Sequence, residues 1–192
     1  HHSDVILGMV QEVLAESGLS LKQLDAIAFS RGPGSFTSLR IGAGVVQGLA
    51  FGANLPVVPV SSLAALAQGV DATKVLAAFD ARMNQVYWGE YVRDSKGLMR
   101  LTGTEIVIAP ADVPAPEGSG WVGAGNGWDQ YATVLTARLD AHVSEWRKQV
   151  FPKSRHVAEL GLELFKTGQI VTAEQALPVY VRDEVAVKQV GR

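Results

Sequence analysis

Cysteine is absent from the 192 residues, which excludes disulfides, thiolate zinc sites and thiol nucleophiles and is compatible with a reducing compartment. A charge excess is absent as well. Seventeen Lys plus Arg against nineteen Asp plus Glu leave a formal charge of -2, a balance unlike the electrostatic footprint of a protein that binds nucleic acid on its own. The nearest basic cluster, RKQVFPKSR from Arg147 to Arg155, reads as a solvated helix end and turn. No apolar run reaches the roughly 18 residues that span a bilayer, because Arg40 and Gln47 interrupt the longest candidate. No signal peptide is visible, so a cytoplasmic chain without membrane contact is expected. Histidine is scarce, with four in all, and no metal site is expected: His1 and His2 are terminal, and His156 sits one turn into a helix pattern.

What is present is apolar material, 47% of the chain, enough to bury a core in one domain or two small ones. The opening stretch SDVILGMVQEVLAESG reads as a helix with Ser3 as N-cap and Gly18 as its stop. Its apolar residues cover about 200° of the wheel, wider than the roughly 100° a one-sided surface helix needs. A capping-box pattern at Ser20 to Gln23 precedes a buried strand, Ala26 to Ser30, and the glycine-rich loop RGPGSFTSLR. A second helix over about Thr37 to Phe51, a strand LPVVPV and a third helix SSLAALAQG capped by Ser61 or Ser62 follow. This is half of a parallel α/β layer with only two strands, too few to stand alone, so an opening set of strands is expected to be missing.

From Lys74 the pattern changes to a hairpin, KVLAAFDAR and QVYWGEYVR around RMNQ, then a DSKG turn and a strand near Leu98 to Leu101. WVGAG is the next strand, WDQYATVLTARL a helix, and SRHVAELGLELFKTG a last helix capped by Ser154, with a PVYVRDEVAVK tail. The expected domains are residues 1–71 and 72–192, with the boundary near Gly69 to Lys74.

The glycine loop invites a search for chemistry. Backbone N–H groups at a helix N-terminus attract anions, yet GPGSFTSLR has neither the Gly-Lys-Ser/Thr ending nor any lysine of a Walker A loop. A nucleophile elbow needs glycine two before and two after the serine, where Ser35 has Pro33 and Thr37. In WVGAGNGW the third glycine, Gly127, falls one place early for a dinucleotide fingerprint, and a strand turning tightly into a helix is the preferred reading. Asp80 beside Arg82 reads first as a pair steadying a turn. The second helix is the least ordinary element, being apolar nearly all round. Gly44 and Gly48, with Ala43, would let another backbone approach closely, which favours an interface built from the first two helices over simple burial. The candidate interface residues are Val10, Leu14, Leu39, Arg40, Ala43, Gly44, Gln47, Gly48 and Ala50.

Three stretches carry a family resemblance: RGPGSFTSLRIGAGVVQGLAFGANLPVVPVSSLAALAQG, DARMNQVYWGEY and PVYVRDEVAVK. Their order and spacing resemble the bacterial TsaB (YeaZ) family over nearly the whole chain. The resemblance implies an actin-like (ASKHA, ribonuclease H-like) two-domain α/β fold. It also implies a non-catalytic subunit of the machinery that makes threonylcarbamoyladenosine at position 37 of tRNAs reading codons that begin with A. In that family the subunit pairs with a catalytic paralogue, TsaD, and with a small ATPase, TsaE. It also forms homodimers, using the first two helices, and would meet tRNA only indirectly. No cofactor is required of such a subunit, and ATP or ADP at a shared surface stays open.

There are departures from the pattern. The family's opening phosphate-motif strand and two further strands have no counterpart before His1. Ser38 stands where glycine is usual, and Asn84 where a turn glycine is common. Asp80 stands about where actin-like ATPases place a second phosphate-loop aspartate, but Ala81 and Arg82 replace the neighbouring glycines, which argues against hydrolysis. Gly32, Gly34, Ser35, Thr37 and Asp80 then remain as a vestigial phosphate loop. The alternatives are an actin-like ATPase or phosphotransferase using Ser35, Thr37 and Asp80, and a glycoprotease-like peptidase.

Overall fold

The structure is a computed structural model and describes residues 2–181. His1 and the part of the PVYVRDEVAVK tail after Val181 lie outside the described residues.

The chain forms two compact units that do not follow a single cut in the sequence. The first contains α1 (His2–Ser17), a 3-10 turn (Leu21–Gln23), β1 (Ile27–Gly32), α2 (Phe36–Ala53) and β2 (Val57–Ser61). It is completed by Val157–Val179, which holds nearly all of α5 (Ser154–Lys166). The second contains α3 (Ser62–Gln68), β3 (Lys74–Arg82), β4 (Gln85–Arg93), β5 (Met99–Ile108), β6 (Trp121–Ala124), α4 (Asn126–Leu139) and β7 (Val143–Arg147). The division therefore falls after Ser61, ten residues before the one expected, and α5 crosses to the first unit. Packing explains both. α3 buries Leu63, Leu66 and Ala67 against Val75 and Ala77 of β3, while a Cβ on Gly161 of α5 would lie only 2.7 Å from Ala28 Cβ on β1.

In the first unit β1 and β2 are parallel, with Ile27 opposite Val57 and Ser30 opposite Val60. Val57 also exchanges both backbone hydrogen bonds with Val171, each 2.9 Å. The unit's core joins Phe29, Ala43, Ala50 and Val57 to Ala173 and Ala176. α1 includes Ser3 within the helix rather than ahead of it, and Gly18 follows it at φ 67 as expected. Gln23 accepts hydrogen bonds from the Ser20 N–H at 2.8 Å and the Ser20 hydroxyl at 2.9 Å, so the capping-box reading places the short turn correctly.

The second unit is a five-stranded sheet in the order β5-β4-β3-β6-β7, antiparallel at the β3–β4–β5 end and parallel at the other. β3 is buried on both faces, and its period of two decides what each face meets. Val75 and Ala77 face α3, whereas Leu76 and Ala78 face Trp128, Leu135 and Leu139 of α4. The Trp128 indole donates to Leu76 O at 2.8 Å, so its one polar atom is satisfied in the core. β7 corrects the sequence reading of Arg147: it ends an edge strand, and only the residues after it form a turn before α5.

Candidate functional site

The two helices singled out by their wheels resolve into alternating stripes. On α1, Ile6, Val10 and Leu14, four residues apart, are half-buried, whereas Val5, Met9 and Val13 on the adjoining stripe are 59%, 59% and 64% exposed. α1 packs along α2. On α2 the buried stripe is Ala43 and Ala50, inside the unit's own core. The stripe Phe36, Arg40, Gly44, Gly48 and Gly52 is exposed, with Leu39, Ile41, Val45 and Leu49 half-buried beside it. The Arg40 guanidinium lies 3.9 Å from the centre of the Phe36 ring, so a cation covers part of this apolar ridge.

Several expected interface residues change role. Ala43 and Ala50 are 4% and 1% exposed and serve the chain's own core, so they are withdrawn from the docking face. Gln47 is half-buried, and its side-chain amide donates to Ala176 O at 3.3 Å, tying α2 to the segment after α5. Val10, Leu14 and Leu39 are half-buried, while Arg40, Gly44 and Gly48 are exposed. The wheels did not point to Val5, Met9 and Val13 as the exposed edge of α1; their i, i+4, i+8 spacing was the signal.

The glycines of the chain separate into two kinds of need. Gly125 and Gly127, at the β6–α4 turn, have no room for a side chain because Ala78 lies against them, at 2.8 Å from its Cβ in the case of Gly127. By contrast, a Cβ at Gly42, Gly44, Gly48 or Gly52 would meet nothing within 4 Å. Each interior helical glycine costs about 1 kcal/mol relative to alanine, and the chain's own packing gives no reason for these. A shallow groove of about 400 Å³ runs beside them, bordered by Leu21, Lys22, Gly48, Leu49 and Gly52.

The glycine-rich loop is built to redirect the chain. Gly32 has φ 109, and a side chain there would meet Leu39 Cδ1 and Val179 O, each at 3.0 Å. The Gly32–Pro33 peptide is cis, and Arg31 O accepts from the Val179 N–H at 2.8 Å. Ser35 occupies the N-cap position of α2 with extended backbone, and its hydroxyl accepts from Ser38 at 3.3 Å. Gly32 is buried, Gly34 half-buried, and Ser35 and Thr37 exposed.

Asp80 belongs to the other unit, at the end of β3. Its Oδ1 accepts from the Arg82 N–H at 2.9 Å and from the Tyr131 hydroxyl at 3.4 Å, and its Oδ2 pairs with the Arg82 guanidinium at 3.3 Å. The Asp80 N–H donates to Asn126 Oδ1 at 3.1 Å. Desolvation, followed by the Asp80 charge, pushes the Tyr131 phenol above its ordinary value. Both carboxylate oxygens thus serve a turn in which Arg82, Met83 and Asn84 all have left-handed φ, between 54° and 61°, the steadying role read from the sequence. Among the described residues no cluster of three or more His, Asp or Glu could hold a metal, and no helix is long and apolar enough to cross a membrane.

Comparison with known proteins agrees with these features over almost the full chain. The family profile described as "TsaD: tRNA N6-adenosine threonylcarbamoyltransferase" matches residues 1–186. The "tRNA threonylcarbamoyladenosine biosynthesis protein TsaB" of Escherichia coli (strain K12) is 42% identical over 98% of this chain and 84% of its own length. That of Haemophilus influenzae is 38% identical over 98% and 83%. Among solved structures, YeaZ from Pseudomonas aeruginosa superposes with a TM-score of 0.85 at 44% identity, covering 93% of this chain and 84% of that one. The mixed α/β architecture is therefore of the actin-like kind. With this identity, this coverage and this fold, the chain belongs to the TsaB (YeaZ) family.

Proposed function

We propose that the chain is a non-catalytic scaffold subunit in the biosynthesis of tRNA threonylcarbamoyladenosine, and that the exposed stripes of α1 and α2 dock the catalytic TsaD-type paralogue. The reading takes its pathway from the names of the relatives. The observation that carries the docking surface is the row Gly44, Gly48 and Gly52, whose missing side chains leave open space in this chain and would admit a second helix at short range. The exposed apolar side chains Val5, Met9 and Val13 of α1 and Phe36 of α2 would supply the buried area such a contact needs. A homodimer would use the same surface and compete with the paralogue. A TsaE-type ATPase joins the pair in the same proposal, with no cofactor required of this subunit and a cytoplasmic setting.

The test is complementation of a strain depleted of this subunit by the double variant Met9→Glu, Val13→Glu. Both sites are exposed, so the fold should persist while threonylcarbamoyladenosine in bulk tRNA falls at least tenfold. Undiminished modification would remove this face from the proposal. A phosphotransferase built on Ser35, Thr37 and Asp80 is the competing reading; steady phosphate release from Mg-ATP by the isolated chain, lost on Asp80→Asn, would favour it.

A further inference from the structure

We infer that the connection from β7 to α5 is a direct contact for RNA, a role separate from docking the paralogue but resting on the proposed part in tRNA modification. Residues Arg147 to Arg155 hold four basic side chains and no acidic one, in a protein whose formal charge is -2. Two acids border the segment, and one of them offsets one of its cations. Glu145 pairs with Arg147 at 2.7 Å, and the Asp129 carboxylate of α4 accepts from the Gln149 N–H at 3.2 Å and 3.3 Å. That second contact fixes Gln149 at φ 55 and so shapes the turn. Lys148 and Lys153 are exposed on either side of it.

Aromatic groups lie among these cations. Lys148 Nζ stands 5.4 Å from the centre of the Trp146 ring, which is half-buried on the edge strand. Phe151, at the outer end of the turn, is 61% exposed. Lysines flanking an accessible ring match the chemistry of single-stranded nucleic acid, where cations track phosphates and a ring stacks on an unpaired base. An acidic protein surface would use the lysines but gives no reason for an exposed phenylalanine between them.

The experiment titrates the assembled complex of this chain and its TsaD-type paralogue with an unmodified transcript of a tRNA reading codons that begin with A. Binding is followed across a salt series. For Lys148→Glu, Lys153→Glu the expected result is about tenfold weaker binding and a salt slope lower by about two, one per lost phosphate contact. Assembly with the paralogue should be unchanged. Phe151→Ala should lose photocrosslinking to unpaired bases while keeping the salt slope.

Unchanged affinity and slope in a complex that still modifies tRNA would overturn the RNA contact and leave the scaffold role standing. Loss of paralogue assembly with RNA affinity retained would overturn it too, assigning the lysines to an acidic protein surface. A wild-type chain that neither joins the paralogue nor supports modification would remove the scaffold role, and this contact with it.

Discussion

Gly44 and Gly48 show how one missing carbon can distinguish folding from docking. In Gly48→Ala the added methyl meets nothing in this chain, so the isolated protein should gain about 1 kcal/mol from helix propensity. In the proposed interface the same methyl would hold the partner helix away. Denaturant melts should therefore show a more stable variant and titration calorimetry a weaker binder, two effects of opposite sign that a purely structural role for the glycine would not produce. Ala43 makes the contrast. The helix wheel placed it with Gln47 and Ala50, but a wheel reports direction without saying which side the core occupies. Ala43 packs with Phe29 and Ala173, so Ala43→Asp should lower stability by about 2 kcal/mol or more through an unpaired buried charge.

Glu90 adds a pH signature at the same scale. Burial pushes its carboxyl above the usual carboxylate range, more than the neighbouring Trp88 indole pulls it down. The folded protein then holds its proton more tightly than the unfolded chain, so stability declines as pH rises from about 4.5, the unfolded value, through the raised folded value. Glu90→Gln should accordingly be neutral or stabilising at pH 7, with the gain over wild type shrinking in denaturant melts as pH falls through the raised folded value and largely gone by about pH 4.5.

At the level of elements, the hairpin and the edge strand read differently from sequence. β3 was legible as an unbroken apolar run from Val75 to Phe79, as a strand buried on both faces requires, and RMNQ separates it from β4. β7 was not, since Val143 and Trp146, its half-buried residues, are three apart, a helical spacing, and an edge strand needs only one neighbour to hold it. The strain in the hairpin tip was hidden too, because no sequence pattern announces that Met83 adopts φ 54. Met83→Gly should relieve that conformation and raise stability by about 1 kcal/mol in thermal melts. Asp80→Ala, which removes the carboxylate holding the turn, should lower it by about 1–2 kcal/mol.

On the scale of the whole molecule, the two-unit plan was legible but its boundary was not. Contiguous segments suggest a single cut, whereas the first unit is completed by a helix from the far end of the chain, placed there by Gly161 against Ala28. The glycine loop likewise proved most informative for what it does not do internally. Gly32 redirects the strand into α2, and the helix it aims carries the open ridge.

The central claim, that this ridge receives the paralogue, is tested most directly by titrating the purified TsaD-type protein into this chain and into its Gly48→Arg variant by calorimetry. The side chain at position 48 faces open space, so the variant should keep its melting behaviour while binding weakens at least a hundredfold. Equal affinity for the two proteins, with the variant folded, would contradict the claim.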